Sequence, residues 1–205
     1  MTQDEFVRIV TEYMQLAPVE RHAQMADLHH QIYQEYHAAL QRLSLLEAAQ
    51  PPQINGEKRS LAQVVGHISA WERFALQSVG EILSGVRHPL MITSVDGFVD
   101  EDGSMLRFTG IDDFNATFSL RHASQKWERI RQEALDTAEM LYVCFTHPRL
   151  LNAERLERTR PHRRRMMDRS VIESLTMGWS LWITVLEHEG VEHAAELRMW
   201  NAIGG

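Results

Sequence analysis

Apolar side chains that recur every three or four residues, interrupted only by proline, glycine and capping signals, confine most of this chain to helices. From Val19 to Ala49 the series Leu28, Ile32, Tyr36, Ala39, Leu43 and Leu46 keeps that spacing, and Pro51 and Pro52 cannot continue it. Ser60 followed by Gln63 is a capping-box pattern; the helix it opens runs to Ser84, with Gly85 as its C-terminal cap. Asp112 or Asp113 opens a third stretch that ends before Pro148, and Ser170 with Glu173 opens a fourth that runs to about Asn201. A shorter amphipathic piece, Gln3 to Leu16, starts from Thr2 with Glu5, stops before Pro18 and is expected to pack on the outside. No strand-like alternation of useful length appears, although Arg87 to Thr93 can form a short extended stretch inside a loop. No internal repeat or Gly-rich phosphate loop is present. The expectation is one all-α four-helix bundle domain over residues 1–205, with residues 1–17 as an accessory N-terminal helix.

The connection from Gly85 to Ile111 is far longer than the about two to eight residues that join adjacent antiparallel helices. Such a crossover lets the second and third helices run in the same direction, which gives an up-down-down-up order and makes the second and fourth helices antiparallel. His67, after Ser60, then stands roughly 10 Å up its helix, and His193, before Asn201, stands roughly 12 Å from the end of its own. Antiparallel helices bring these heights together, whereas parallel helices starting level hold them roughly 25 Å apart.

Glu189 and His193 are four residues apart, within roughly 40° of each other on a helix, and can address one object. With His67 they make two imidazoles and a carboxylate, a set that suits a zinc-like divalent ion with a position open for water or substrate. His188 precedes His193 by five residues, about 140° away around an α-helix, and is the weaker partner. Blander readings stay open on spacing alone. His67, with Trp71 on its face, suits a hydrogen-bonded core histidine, and Glu189 with His193 suits a solvent-facing pair on a helix end that also carries Glu187, Glu192 and Glu196.

A formal net charge of -7 argues against a general nucleic-acid binder, which carries a dominant basic face. Residues 1–10 include Asp4 and Glu5 and lack a signal peptide's apolar centre, and no segment approaches the about 18 apolar residues of a membrane span. A cytoplasmic location without a membrane or nucleic-acid partner is expected. Cys144, the single cysteine, permits no intrachain disulfide and reads as a buried small side chain.

The segment Leu61-Ala62-Gln63-Val64-Val65-Gly66-His67-Ile68-Ser69-Ala70-Trp71-Glu72 resembles the "DvvxHlxxWE" signature of the DinB/YfiT-like superfamily. Leu83-Ser84-Gly85, Asp112-Asp113-Phe114-Asn115 and Glu192-His193-Ala194-Ala195-Glu196-Leu197 are similar to its "LxG", "iddfN" and "eHaaeI" segments, in the same order, over residues 19–201. The resemblance implies an up-down-down-up four-helix bundle, a homodimer, and a divalent metal ion, zinc or nickel, at one end of the bundle. It implies as ligands one histidine on the second helix and two residues four apart on the fourth, matching His67, Glu189 and His193. Most relatives carry histidine where this chain has Glu189; the mycothiol-dependent maleylpyruvate isomerase branch is similar in using glutamate. That likeness implies a low-molecular-weight thiol as cosubstrate.

Arg158, Arg160, Arg163, Arg164, Arg165 and Arg169, with His162, crowd the loop between the third and fourth helices. Guanidinium groups suit carboxylates and phosphates, but a solvated loop is the simpler reading, and the expected topology puts it away from the metal end. His22, His29, His30 and His37 are expected on exposed helix surface, and Trp127, Trp179, Trp182 and Trp200 in the core or a dimer interface. Asp96, Asp100, Glu101 and Asp102 lie in the crossover as candidate lid residues. Two functional classes follow: a metal-dependent enzyme of thiol transferase or isomerase type acting on a small-molecule substrate, or a noncatalytic binding or stress-response module with a structural or vestigial metal.

Overall fold

The computed structural model describes residues 1–51, 58–166 and 169–201. The Thr2 hydroxyl accepts from the Glu5 amide and so caps α1 (Gln3–Met14), which buries Phe6, Val10 and Met14. Pro18 opens α2 (Pro18–Arg42), its fixed φ suiting the first helical position. The expected continuous run to Ala49 breaks at Leu43. That residue turns extended and inward, its carbonyl accepts from the buried Trp127 indole at 3.3 Å, and Ser44 and Glu47 box-cap a separate turn, α3 (Leu45–Ala48). The boxed Ser60 and Gln63 exchange both of their expected bonds at the start of α4 (Leu61–Leu83). Gly85, at φ +90°, ends that helix while the Val86 amide reaches back to the Glu81 carbonyl.

The crossover holds structure of its own. Where an extended stretch was expected, Leu90–Thr93 forms a helical turn, α5, because the Leu90 and Met91 amides donate to the Glu81 carboxylate and the Ser78 hydroxyl. An antiparallel ribbon follows, β1 (Phe98–Val99) with β2 (Met105–Leu106). The third stretch is two helices, α6 (Ile111–Ala123) and α7 (Trp127–Thr146), parted where the Ser124 amide and hydroxyl both turn back onto the Arg121 carbonyl.

After α8 (Ala153–Glu157), the arginine-rich segment is not a loop, although Arg158 and Arg163 stay solvent-exposed as the simpler reading expects and Arg164 is held inward. It pairs as an antiparallel ribbon, β3 (Pro161–Arg165) with β4 (Val171–Thr176), and Arg169 takes the left-handed conformation at φ 70°. The capping pattern of Ser170 with Glu173 therefore opens no helix; β-branched Val171 and Ile172 pair with the basic strand instead. The last helical stretch begins at α9 (Met177–Glu187), passes through one π-helical turn (His188–Glu192) and ends as α10 (Ala194–Asn201).

The chain is mostly helical, as expected. Helix α7 packs against α2 and α4, α6 against α4, and the π turn against α2. Trp179 and Trp182 are fully buried with Phe6, Met25 and Phe145, Trp127 lies in a second apolar cluster, and Phe74, Phe98, Phe114 and Phe118 form a third. His29 departs from its expected place on the surface: it is fully buried. Cys144 is half-buried, and burial pushes its thiol up, away from the reactive thiolate. Among the described residues, no helix is long and apolar enough to cross a membrane.

Candidate metal centre

Helix α9 is buried on nearly every side, so the polar residues at its end, Glu187, His188 and Glu189, are carried inward by the apolar run before them. Each then finds a different environment. Glu187 takes the Arg164 guanidinium at 2.6 Å and the Gln3 amide at 2.7 Å. His188 turns toward His67, with ring centroids 5.3 Å apart. Glu189 turns toward α2 and α4, where its carboxylate stands 4.0 Å from His29 Nε2 and within hydrogen-bonding reach of Glu72.

The π turn decides this distribution. In an α-helix residues five apart diverge by about 140°, but i→i+5 hydrogen bonding sets such residues nearly above one another. His188 and His193 thus share a face, their ring centroids 4.8 Å apart, and His193 lies 5.2 Å from His67. One ligand atom from each of His67, His188 and His193 lies within 4.8 Å of the other two, and all three residues are buried. Of the residues expected as ligands, His67 and His193 are brought together. Glu189 is not with them, because the inserted turn rotates its side chain into the core and substitutes His188.

The donor set fits a divalent ion. His193 Nδ1 lies 2.6 Å from Glu196 Oε2; an ionised carboxylate only accepts, so the ring proton sits on Nδ1 and the lone pair on Nε2. That Nε2 is buried and without a hydrogen-bond partner, as a ligand atom facing its two companions would be. Burial, then the neighbouring His193, His67 and Arg59, hold His188 well below the ordinary imidazole range, hence neutral and able to coordinate. Three imidazoles suit zinc, nickel or copper.

A cavity of about 800 Å³ opens at this centre, with His67 and His188 in its wall beside Trp71. The Trp71 indole donates to Asn115 at 3.0 Å, which fixes its plane. Residues 91–95 and 108–111 of the crossover form the opposite side, so the long connection does border the site. Its acidic residues do not: Asp96 pairs with Arg107, Asp100 with Arg121, and Glu101 with Arg73 and Arg129. The β3–β4 ribbon brings His162, Arg164 and Arg165 to the same wall, contrary to the expected placement of the arginines away from the metal end. Arg164 is held fast there by Glu187 and by the Thr184 hydroxyl at 2.5 Å. Burial and Arg164 lower the pKa of His162.

His29, Glu72, Arg164 and Glu196 escaped the reading of the sequence as members of this region. The one available signal was Glu196, three residues after His193, a spacing that places a carboxylate beside a ring on the same helix face.

No protein-family model matches the chain, and no curated protein or solved structure matches it.

Proposed function

We propose that this chain is a metal-dependent enzyme of DinB-like type, a four-helix bundle of up-down-down-up order in which His67, His188 and His193 hold a zinc or nickel ion. The observation that carries the reading is the convergence of three buried imidazoles from two separate parts of the chain, two of which, His67 and His188, line one large cavity. The meeting of His67 with His193 supports an antiparallel arrangement of the helices that bear them, and so the crossover order.

Three protein ligands leave a coordination position for an exogenous group, and the ion, when bound, lowers the pKa of a water or a small thiol in that position. The chain's own residues do the rest. Glu196 fixes the His193 tautomer, and Trp71 with residues 91–95 and 108–111 shields the centre from bulk solvent. The Arg164–Glu187 pair ties the ribbon to α9, so the wall that meets the substrate is rigid. Transfer or isomerisation with a low-molecular-weight thiol is the reaction class proposed.

Elemental analysis of untagged protein should find zinc or nickel, lost in His188→Ala and in His193→Ala with helicity retained by circular dichroism. Cobalt-substituted protein should develop a sulfur-to-cobalt charge-transfer band when a small thiol is added. Retention of the ion by His188→Ala would overturn the three-histidine assignment. A protein that binds no zinc, nickel or cobalt on titration would leave a noncatalytic helical module.

A further inference from the structure

Behind the three-histidine centre lies a second concentration of buried polar groups that the first does not use. Glu72 on α4 and Glu189 in the π turn are each 2 % exposed, and Tyr36 on α2 is 3 % exposed. Both oxygens of Glu189, Oε1 of Glu72 and the Tyr36 hydroxyl are buried with no hydrogen-bond partner apart from the contact of the two carboxylates with each other. Buried polar atoms are nearly always paired, and a cluster of exceptions in one place points to an ion or water. Thr137 donates to the other oxygen of Glu72. The Trp182 indole donates to His29 Nδ1 at 3.0 Å, so the neutral ring carries its proton on Nε2, which lies 4.0 Å from Glu189, beyond hydrogen-bonding distance. A ring protonated on Nε2 is not a ligand, and this Nε2 is itself without a hydrogen-bond partner. A void of about 20 Å³, bounded by Tyr36 and Glu189 but not by Glu72, has room for about one water.

Two carboxylates in contact inside a protein must share a proton or hold a cation between them. We infer that Glu72, Glu189 and the Tyr36 hydroxyl form a second site, oxygen-lined and suited to a hard divalent cation of the Mn²⁺ or Mg²⁺ class. A divalent ion neutralises the carboxylate pair and takes the orphaned oxygens as ligands, with water as a further ligand. Oxygen ligands separate this site chemically from the imidazole centre, which favours softer ions. Thr137 holds the Glu72 carboxylate in place from outside, as a second partner of a ligating carboxylate does. Glu189 thereby returns as a ligand, but to a different ion from the one expected of it.

The test is Mn²⁺ binding to chelator-treated, full-length protein, first equilibrated with Zn²⁺, followed by electron paramagnetic resonance of free Mn²⁺. Wild-type protein should bind about one Mn²⁺ per chain, His188→Ala should keep it, and Glu72→Gln should lose it. Tyr36→Phe, which removes one oxygen and no volume, should weaken Mn²⁺ binding severalfold and guards against misfolding of the Gln variant. The inference is overturned if wild type binds no Mn²⁺, or if Glu72→Gln and Tyr36→Phe bind it as wild type does. Loss in His188→Ala with retention in Glu72→Gln would place Mn²⁺ at the histidines and equally overturn it. Zinc binding by the wild type is read separately, so failure here leaves the three-histidine centre standing, and the converse holds.

Discussion

Adjacent residues with opposite destinations are the central feature at the scale of single side chains. His188 joins the histidine cluster while Glu189 enters the core, and only the turn between them decides which of the two stands with His67 and His193. His67 and His193 are legible in the sequence because their surroundings carry recognisable motifs and a helical position fixes where each side chain points. His188 is not, since its alignment with His193 exists only under i→i+5 pairing. The carboxylate behind His193 has a measurable role. Glu196→Ala should weaken zinc affinity about 10–100-fold, as loss of an outer partner of a ligating histidine does, while leaving the fold intact. Competition with a chromophoric chelator would check this, and unchanged affinity would mean that Glu196 is only a helix-surface neighbour.

The π turn and the β3–β4 ribbon are the two elements that build the site. Gly190 explains how the turn can sit against α2: a Cβ there would lie 2.8 Å from Ile32 Cδ1, too close for an unmoved neighbour. Gly190→Ala should cost about 1–3 kcal/mol of stability through overpacking, and should also loosen zinc binding by shifting His188 against His193. Chemical denaturation together with a zinc titration would separate the two effects; a stable variant with full affinity would show that the turn tolerates the methyl group. Helix α4 was readable almost to the residue because its caps are local, Ser60 with Gln63 at one end and Gly85 at the other. The ribbon was not, since Ser170 and Glu173 carry a helix-start pattern and their strand identity comes from pairing with a segment earlier in the chain.

Across the whole molecule, the buried titratable groups pull stability in opposite directions with pH. In metal-free protein, burial pushes the Glu72 carboxyl from 4.5 up to about 8. Between those values the folded chain holds a proton that the unfolded chain has released, so this contribution is complete below 4.5 and lost as pH rises through about 8. Burial lowers His29 and His122 from 6.5 to about 3 and about 4, so their contribution is present above 6.5 and lost as pH falls toward those values. Above 6.5 both histidines are neutral in either state, and the melting temperature should fall from there to pH 8, with Glu72→Gln flattening the slope. Calorimetry on both proteins would decide it, and parallel slopes would remove Glu72 as the cause. The sequence by itself determined that the chain is mainly helical, where α4 begins and ends, and that His67 and His193 were candidates for one site, because caps and apolar spacing act over a few residues. Only the tertiary structure decided that the first helical stretch stops at Leu43, that the arginine segment folds into the cavity wall, and that His188 and not Glu189 stands with the other histidines. Those outcomes depend on contacts between residues far apart in the chain, such as Trp127 with Leu43 and Arg164 with Glu187, which no local pattern encodes.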